Sequence, residues 1–300
     1  MGICDGRVVI VTGGGSGLGR AHALAFAAEG ASVLVNDYGV RLDGTPGDSA
    51  AAQRVVDEIT TAGGRAVANG ADVADWAQSE AMVAQAIEAF GRLDVVVNNA
   101  GFLRDRMLAN LSEDEWDAVI RVHLKGHFAP MRHAAAYWRS ESKDGRQPDA
   151  RVINTSSGAG LQGSVGQGNY SAAKAGIAAM TLVAAAELGR YGVTVNAIAP
   201  VARTRMTEAT FADMMSTEAD AFDAMAPENV SPLLVWLGSA QSAHVTGRVF
   251  EVEGGKVALA EGWRHGTPVD KGARWDPAEL GPVVEELLAR TPDSEPVYGA

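Results

Sequence analysis

The sequence predicts an α/β fold in which one parallel sheet is doubly wound, with helices on both of its faces. Apolar runs without polar alternation, such as Val8–Thr12 and Val193–Ala199, are typical of parallel strands that are covered on both sides. These runs alternate at short spacing with stretches that repeat apolar residues at helical spacing. Because consecutive parallel strands need right-handed crossovers, we expect the intervening helices on both faces.

The first half of the chain contains four predicted strands and four predicted helices. The strands are Val8–Thr12, Ala31–Asp37, Arg65–Ala71 and Leu93–Asn98. The helices are Ala21–Glu29, Ala50–Thr61, Asp75–Phe90 and a long one that runs from Ser112 to about Trp138. Ser112 and Glu115 form a capping box at the start of that long helix. The segment Tyr38–Asp48 is rich in Gly, Asp and Pro, which predicts a surface excursion.

The second half continues the alternation and then loses it. Further strands are predicted over Arg151–Ser156, Val193–Ala199 and Arg248–Val252, and further helices over Asn169–Arg190, Pro232–Leu237 and Pro277–Ala289. The polar segment Glu141–Asp149 predicts an exposed insertion, and Arg203–Ala226 fits either a mobile lid or a surface helix pair. We therefore expect about seven strands, one domain over residues 1–259 and a C-terminal extension over residues 260–300.

The charge balance excludes several classes of protein. The 300 residues include 37 acidic and 25 basic side chains, a formal net charge of −12, which argues against binding of nucleic-acid phosphates or anionic lipid. No segment has the length and apolar purity of a membrane span, and the N-terminus does not resemble a signal peptide. The single Cys4 fits a reducing compartment, so we expect a cytoplasmic protein. No Cys or His spacing predicts a metal site.

The glycines after the first strand predict a dinucleotide site. Gly13, Gly17 and Gly19 stand between the strand Val8–Thr12 and a helix. Because glycine has no Cβ, this loop permits a sharp turn and close approach of a pyrophosphate, to which the helix N-terminus presents free N–H groups. Asp37 follows Gly19 by eighteen residues, where a carboxylate accepts hydrogen bonds from the adenosine ribose. A glycine triplet alone also fits a structural turn.

Tyr170 and Lys174 are four residues apart in a helical stretch, so their side chains lie on one face. A free tyrosine has a pKa of about 10, and a neighbouring ammonium favours its phenolate, which makes the pair a candidate acid/base. Ser157 ends the fifth strand, where ligands of such sheets gather, and its hydroxyl is a candidate for holding a substrate oxygen. Taken singly, the pair also fits a surface pair, and Ser157 a turn serine.

Other polar residues allow a structural as well as a functional interpretation. His123 lies on the apolar stripe of its helix and fits a core histidine as well as a catalyst. Asp72 fits a helix cap, and Arg104 and Arg106 fit a solvated or ion-paired face. Ser157 does not fit a hydrolase nucleophile, because no Gly-x-Ser-x-Gly elbow surrounds it.

Together these motifs resemble the short-chain dehydrogenase/reductase family, from about Arg7 to Gly255. In the family's order they are Thr12-Gly13-x-x-x-Gly17-x-Gly19, Asp72-Val73, Asn98-Asn99-Ala100-Gly101, Ser157 and Tyr170-x-x-x-Lys174. The resemblance implies a single-domain Rossmann-like fold and hydride transfer between a nicotinamide and a secondary alcohol or ketone. It makes Tyr170 the general acid/base, with Lys174 lowering its pKa and binding the nicotinamide ribose, and Ser157 orienting the carbonyl.

The same resemblance implies the cofactor-binding residues. They are Gly13, Ser16, Gly17, Leu18, Gly19, Asp37, Asp72, Val73, Asn98, Ala100, Gly101, Tyr170, Lys174 and Thr204. Among these, Asp72 and Val73 would line the adenine pocket. Asp37 predicts NAD as the cofactor, because its carboxylate repels a 2′-phosphate and no Lys or Arg stands at positions 14–16 to attract one.

Two positions depart from the family's usual pattern. His123 stands where many members carry Asn, a residue that shapes its helix so that a backbone carbonyl holds a water linking the lysine to solvent. We expect His123 to keep this role through its own backbone, and we include it among the catalytic residues. The segment Pro200–Met206 lacks the usual Gly after its Pro and is one residue short before Thr204, which is the candidate for the nicotinamide carboxamide.

The departures are similar to one subgroup, the (3R)-hydroxyacyl-CoA dehydrogenase module of peroxisomal multifunctional enzymes and its free-standing bacterial relatives. The similar segments are Asn36–Gly39, Asn98–Arg106, Val122–Leu124 and Gly166–Lys174. This implies oxidation of a 3-hydroxyacyl-CoA. A steroid or other secondary-alcohol dehydrogenase, a 3-oxoacyl thioester reductase and a non-catalytic NAD-sensing regulator remain alternatives. The resemblance also implies a homodimer or homotetramer, with the C-terminal extension on or near the substrate or oligomer side.

Overall fold

The computed structural model describes residues 2–39, 50–203, 222–293 and 295–297. Its strands are β1 (Val8–Thr12), β2 (Ser32–Asn36), β3 (Arg65–Asn69), β4 (Val95–Asn98), β5 (Ala150–Thr155), β6 (Val193–Val201), β7 (Val249–Glu253) and β8 (Lys256–Leu259). They form one sheet in the order β3-β2-β1-β4-β5-β6-β7-β8. All neighbouring pairs are parallel except β7 and β8, which are antiparallel. The order reverses between β1 and β4, which leaves a crevice at the carboxyl ends of these strands.

The helices connect the strands and cover both faces of the sheet. They are α1 (Gly17–Ala28), α2 (Ala51–Thr61), α3 (Trp76–Phe90), α4 (Glu113–Ile120), α5 (Gly126–Lys143), α6 (Gly158–Gln162), α7 (Gly168–Leu188), α8 (Ser231–Gly238) and α9 (Leu280–Ala289). One turn of π-helix, Arg121–Lys125, joins α4 to α5. Short 3₁₀ turns occupy Leu108–Asn110, Gly189–Tyr191, Pro227–Asn229, Ala240–Ser242 and Pro277–Glu279.

Strand β1 shows how the two layers of core are built. Its side chains alternate between the faces of the sheet, and all five are buried. Val9 and Val11 pack in one cluster with residues of α1, α2 and α8, whereas Val8 and Ile10 pack in the other with residues of α3, α5 and α7. Burial on both faces explains why the strand is a continuous apolar run.

The predicted fold class is confirmed, with one more strand than expected. Strand β8 follows β7 after the turn at Gly254 and Gly255, and all four of its residues are exposed although three are apolar. Its run of three apolar residues is too short to distinguish a strand from a loop. The predicted insertion Glu141–Asp149 begins inside α5, which continues to Lys143. Most of the segment Arg203–Ala226 lies outside the described residues. The capping box of Ser112 and Glu115 is present at α4.

Helix α7 contradicts the prediction that no segment is long and apolar enough to span a membrane. The stretch Gly168–Tyr191 meets both criteria by length and composition alone. However, α7 packs against β5 and β6 and buries Lys174, Ile177 and Thr181, which identifies it as a core helix of the α/β fold. Its buried amine is also a poor fit to a lipid environment.

Candidate active site

The glycine loop between β1 and α1 is packed so tightly that side chains would not fit. A Cβ on Gly19 would stand 2.1 Å from the carbonyl oxygen of Gly13, and one on Gly13 would stand 2.9 Å from Cα of Ala100. Gly13 and Gly17 also have positive φ angles of 63° and 52°, a region that favours glycine. The loop therefore brings β1, α1 and the segment after β4 into direct backbone contact.

The first turn of α1 presents its backbone N–H groups at this loop. Ser16 is its N-cap in extended conformation, Gly17 is its first residue, and the partly buried side chain of Leu18 packs against the core. Backbone N–H groups at a helix N-terminus lack partners within the helix and carry partial positive charge, so they bind phosphate well. At Leu18 the side chain is committed to packing, which leaves the backbone for a ligand.

Asp37 lies beside the glycine loop, just after the end of β2. Its Oδ2 accepts a hydrogen bond from Gly15 N at 2.9 Å, and its Oδ1 accepts one from Gly39 N at 2.8 Å. A Cβ on Gly15 would stand 2.6 Å from Asp37 Oδ2. The carboxylate is thus held in place by two backbone donors.

Asp72 and Val73 lie in the turn between β3 and α3. Asp72 Oδ1 accepts from Ala74 N at 2.9 Å, and its other oxygen forms an ion pair with Arg121 in the π-helical turn. Val73 is buried against the start of α5, where a Cβ on Gly126 would stand 2.7 Å from its Cγ2. The interpretation of Asp72 as the helix cap is wrong, because Asp75 caps α3 by accepting from Gln78 N.

The end of β4 and the segment after it are fixed by side-chain hydrogen bonds. Asn98 is fully buried and donates through Nδ2 to Asn154 Oδ1 at 2.9 Å, so its side chain belongs to the core network rather than the crevice. Asn99 donates through Nδ2 to the carbonyl of Thr12 at 3.0 Å, while Thr12 Oγ1 accepts from Asn99 N at 2.9 Å. These bonds fix the segment against the end of β1.

Tyr170 and Lys174 lie on the same face of α7, as the spacing predicts. Lys174 Nζ is 5.4 Å from the centroid of the Tyr170 ring and donates to the carbonyl of Thr155 at 2.6 Å. Burial lowers the pKa of Lys174 from its usual 10.5 to about 7. Tyr170 N donates to Asn169 Oδ1 at 2.8 Å, and the Asn169 amide in turn donates to the backbone carbonyls of Arg104 and Glu115.

Ser157 is brought to the same place by α6. It is buried, and its Oγ accepts from Ala159 N at 3.2 Å as the N-cap of α6. The preceding residue, Ser156, donates through Oγ to the backbone carbonyl of Lys174 at 2.9 Å. A Cβ on Gly160 would stand 2.6 Å from Cβ of Lys174, so α6 presses directly on α7. Ser157 and Lys174 are therefore fixed relative to each other.

His123 lies in the π-helical turn and is buried beside Tyr170, with ring centroids 5.2 Å apart. Its Nε2 is 2.7 Å from the carbonyl oxygen and 3.1 Å from the nitrogen of Phe102, two contacts that suit opposite tautomers. Burial first, and the charge of Lys174 second, lower the pKa of His123 to about 3. The ring is neutral at physiological pH, which fits packing and hydrogen bonding rather than proton transfer.

Among the described residues, most of the predicted ones lie after the carboxyl ends of β1 to β5 or on α7. Comparison with known proteins identifies the family. A model of the family described as short chain dehydrogenase matches residues 7–215. The chain belongs to the short-chain dehydrogenase family. It is accordingly an oxidoreductase that acts on CH–OH groups, and a nicotinamide cofactor is typical of such dehydrogenases.

Several dehydrogenases are similar over most of the chain. Hydroxyacyl-CoA dehydrogenase ChsB1 of Mycobacterium tuberculosis is 48% identical over 293 residues, covering 95% of this chain and 89% of that protein. Peroxisomal multifunctional enzyme type 2 of Mus musculus is 46% identical over 253 residues, which are 84% of this chain but 32% of the longer enzyme. A crystal structure of a short chain dehydrogenase from Mycobacterium avium, 71% identical, covers both chains completely with a TM-score of 0.89.

Some residues of this dehydrogenase site were not singled out by sequence reasoning. His127, one turn after His123, is buried next to Lys174, and the signal that could have found it is its i,i+4 spacing from His123. Thr155 contributes only backbone atoms, so its residue type carries no signal. Arg106 pairs with Glu115, which confirms the ion-paired interpretation of that arginine.

Two further predictions concern Thr204 and the binding of metal ions. Thr204, the candidate for the nicotinamide carboxamide, lies outside the described residues. Within the described ranges, no group of three or more His, Cys, Asp or Glu side chains is arranged to hold a metal ion.

Proposed function

We propose that this dehydrogenase oxidises (3R)-3-hydroxyacyl-CoA to 3-oxoacyl-CoA with NAD. The observation that carries the proposal is the arrangement of the partly buried Tyr170 against the buried side chains of Lys174 and His123, with the buried Ser157 at the end of the neighbouring strand. The substrate class is inferred from the relatives, since proteins 48% and 38% identical are named hydroxyacyl-CoA dehydrogenase ChsB1 and (2S)-[(R)-hydroxy(phenyl)methyl]succinyl-CoA dehydrogenase subunit BbsD. The (3R) configuration rests on the likeness of the Val122–Leu124 segment to the peroxisomal subgroup.

The residues present fit a dinucleotide. Gly13 and Gly19 leave no room for side chains, and the loop they flank offers the N-terminus of α1, which suits a pyrophosphate. Asp37 would accept hydrogen bonds from the adenosine ribose, and Asp72 and Val73 would border the adenine. Asn98, Ala100 and Gly101 would lie along the cofactor, with Asn98 contributing its backbone.

Asp37 supports NAD over NADP. Its carboxylate is oriented by Gly15 and Gly39, and it would face a 2′-phosphate with a charge of the same sign. The glycine loop at positions 14–16 carries no lysine or arginine that would offset this repulsion.

In the proposed reaction the carbinol carbon loses a hydride and the hydroxyl loses a proton, which gives the 3-oxoacyl thioester. A bound oxidised nicotinamide supplies the hydride acceptor. Tyr170 Oη takes the hydroxyl proton, and the Lys174 ammonium stabilises the phenolate that Tyr170 needs for this step. Ser157 Oγ orients the substrate oxygen toward Tyr170. His123 holds the Tyr170 ring from the side and carries no charge of its own.

The surroundings of the site lead to further proposals. We infer a homodimer or homotetramer that pairs through its long helices, because Leu182 and Val183 on α7 are 54% and 56% exposed.

We also propose that residues 260–300 pack on or near the substrate or oligomer side. None of the α9 residues is buried within this chain, which is consistent with a partner elsewhere. A cytoplasmic location is inferred from the single, buried Cys4.

A substrate panel tests the proposed function. Steady-state oxidation is measured for (3R)- and (3S)-3-hydroxyacyl-CoA of several chain lengths, a set of hydroxysteroids and simple secondary alcohols, each with NAD and with NADP. The proposal expects the highest kcat/KM for a (3R)-3-hydroxyacyl-CoA with NAD. A preference for free steroids or simple alcohols would contradict the substrate class. Tight NAD binding without turnover of any compound would favour a non-catalytic regulator.

A further inference from the structure

Three large apolar side chains are exposed on two loops next to the proposed acid/base. Met107 and Leu108 lie in the segment after β4, at the start of a 3₁₀ turn, and are 57% and 74% exposed. Val165 lies between α6 and α7 and is 87% exposed. We call these three residues the apolar rim. Apolar residues scattered singly over a surface are ordinary, whereas apolar residues grouped beside a site indicate a ligand or a partner.

Hydrogen bonds join the two loops to each other. Arg106 N donates to the carbonyl oxygen of Gly166 at 2.8 Å, and Gln167 Nε2 donates to Asp105 Oδ2 at 2.9 Å. Arg106 and Gln167 also form an isolated parallel bridge. Each member of the apolar rim lies one or two residues from Arg106 or Gly166 along the chain. The rim is therefore held on two neighbouring segments that are fixed against each other.

The apolar rim borders the proposed site on two sides. Leu108 reaches the start of α7, since a Cβ on Gly168 would stand 3.2 Å from Leu108 Cδ1. Gly168 precedes Tyr170 by two residues in the same helix. Val165 follows α6, the short helix whose N-cap is Ser157. A substrate oriented by Ser157 and Tyr170 would therefore pass the apolar rim where it leaves the site.

The chemistry of this surface indicates which part of a substrate it suits. Among its polar neighbours, Arg106 forms an ion pair with Glu115, and Asp105 accepts from Gln167. The Arg104 guanidinium lies over the ring of Phe102, 5.3 Å from its centroid. The three side chains of the apolar rim gain free energy only when they bury apolar surface. They therefore suit a hydrocarbon chain better than the phosphates of coenzyme A.

We propose that the apolar rim binds the acyl chain of the substrate and selects for its length. This inference rests on the function proposed above, in which the substrate is a 3-hydroxyacyl-CoA. Ser157 and Tyr170 hold the oxygen on carbon 3, and the rest of the acyl chain extends from that carbon away from the thioester. Each methylene that is buried against the apolar rim should raise kcat/KM by about two- to fourfold.

Matched substitutions on the two loops separate apolar surface from shape. Leu108→Ser and Val165→Ser each remove apolar surface from one loop, whereas Leu108→Met and Val165→Ile retain it. Val257→Ser is the control, because Val257 is 58% exposed on β8, at the edge of the sheet and three strands from β5. Steady-state oxidation by NAD is measured for (3R)-3-hydroxybutyryl-CoA, (3R)-3-hydroxyoctanoyl-CoA and (3R)-3-hydroxydodecanoyl-CoA.

The proposal predicts a loss that grows with chain length. We expect kcat/KM of the unsubstituted protein to rise from the butyryl to the dodecanoyl substrate. In Leu108→Ser and Val165→Ser it should fall about five- to twentyfold for the dodecanoyl substrate, mainly through KM, and less than about twofold for the butyryl substrate. Leu108→Met, Val165→Ile and Val257→Ser should keep the chain-length dependence of the unsubstituted protein.

A binding measurement repeats the comparison without turnover. Calorimetry gives the Kd of dodecanoyl-CoA and of butyryl-CoA, which lack the reacting hydroxyl, for the same proteins. We expect Leu108→Ser and Val165→Ser to weaken binding of dodecanoyl-CoA about five- to twentyfold and to leave that of butyryl-CoA nearly unchanged. Sedimentation velocity should show the same oligomeric state for all of these proteins.

Several results would overturn the proposal. Equal losses for all chain lengths would show that the loops act on the reacting centre, and a chain-length dependence that is flat or survives the serine variants would place the acyl chain elsewhere. A smaller oligomer in the serine variants would assign the apolar rim to a partner subunit. Failure of the unsubstituted protein to oxidise any 3-hydroxyacyl-CoA would instead contradict the proposed function, whereas oxidation with a surviving chain-length dependence contradicts the role of the apolar rim alone.

Discussion

The rings of His123 and Tyr170 meet edge to face, with centroids 5.2 Å apart and an interplanar angle of 87°. On another side the His123 ring lies against Gly101, where an added Cβ would stand 2.1 Å from Cε1. His123 is thus held between the segment after β4 and the residue proposed as the acid/base. One buried ring therefore contacts both Gly101 and the Tyr170 ring.

This packing predicts that Gly101→Ala acts through His123. The added methyl must displace the ring, so we expect a loss of about 1–3 kcal/mol in the free energy of unfolding and a fall in kcat of about tenfold or more. Gly189→Ala is the control, because a Cβ there meets nothing within 4 Å. Urea unfolding and steady-state kinetics measure both effects. In a His123→Ala background the loss of stability from Gly101→Ala should shrink, and equal losses in both backgrounds would show that the ring is not the cause.

The position of Asp37 predicts that the protein prefers NAD to NADP. Replacing it with Ala removes the acceptor of the Gly15 and Gly39 N–H groups as well as the charge that opposes a 2′-phosphate. We expect kcat/KM with NAD to fall about 10- to 100-fold, and the NAD/NADP ratio to fall with it. Asp57→Ala, on the exposed side of α2, removes a carboxylate away from the loop and serves as the control. An unchanged NAD/NADP ratio in Asp37→Ala argues against the assignment of NAD.

We expect the buried Lys174 to lower the free energy of unfolding, although the proposed activity requires it. Its folded pKa of about 7 lies below the 10.5 of an unfolded lysine, so the unfolded chain binds more protons between these values and stability rises with pH there. Below about pH 7 the full cost of roughly 4–5 kcal/mol is present, and above about pH 10.5 it is absent.

The variant Lys174→Met should therefore lose activity and yet be more stable than the unsubstituted protein near neutral pH. The gain is reduced by the Thr155 carbonyl left without its donor, which costs about 1–3 kcal/mol. Denaturant unfolding at several pH values between about 6 and 10 checks this. Parallel pH dependence in the two proteins would mean that Lys174 is not held with a lowered pKa.

The burial of His22 predicts that the protein loses stability at acid pH. It is fully buried with Nδ1 2.9 Å from Ser231 Oγ, and burial lowers its pKa to about 3. The folded pKa lies below the unfolded value of about 6.5. The contribution of the neutral His22 ring to the free energy of unfolding is therefore complete above about pH 6.5 and is lost as the pH falls toward 3. By about pH 4 the loss amounts to about 3 kcal/mol.

His22→Asn removes the titrating ring but keeps a polar group near the position of Nδ1. The difference in unfolding free energy between this variant and the unsubstituted protein should change in favour of the variant by about 3 kcal/mol between about pH 7 and pH 4. His265→Asn, at an exposed position, is the control and should show no such change. A pH-independent difference for His22→Asn would contradict a buried neutral histidine.

The parts of the site that could be predicted from the sequence are those whose geometry is local. The glycine loop follows from a strand, a turn and a helix in succession, and Tyr170 and Lys174 share a face because they are four residues apart in α7. The Ser112 cap is likewise decided within four residues. Such features depend on backbone geometry that every helix or strand repeats.

Other parts depend on contacts between elements that are distant in the chain. The Asn98 side chain bonds Asn154, 56 residues on, and Asp72 pairs with Arg121, 49 residues on, so neither side chain's partner follows from local pattern. The sequence prediction placed Asp75 inside its helix and Asp72 as a possible cap, whereas the helix begins one residue later, at Trp76, and Asp75 is the cap. His127 and Thr155 meet only because α5 crosses the end of β5.

The central claim is that Tyr170 transfers the proton when this dehydrogenase oxidises a 3-hydroxyacyl-CoA. Its most direct test is single-turnover formation of reduced nicotinamide from NAD and a (3R)-3-hydroxyacyl-CoA, measured for the unsubstituted protein and for Tyr170→Phe, alongside the Kd for NAD. We expect turnover in the unsubstituted protein, and in Tyr170→Phe a loss of about 10²–10⁴-fold with the Kd for NAD changed little. Undiminished turnover in Tyr170→Phe would contradict the account.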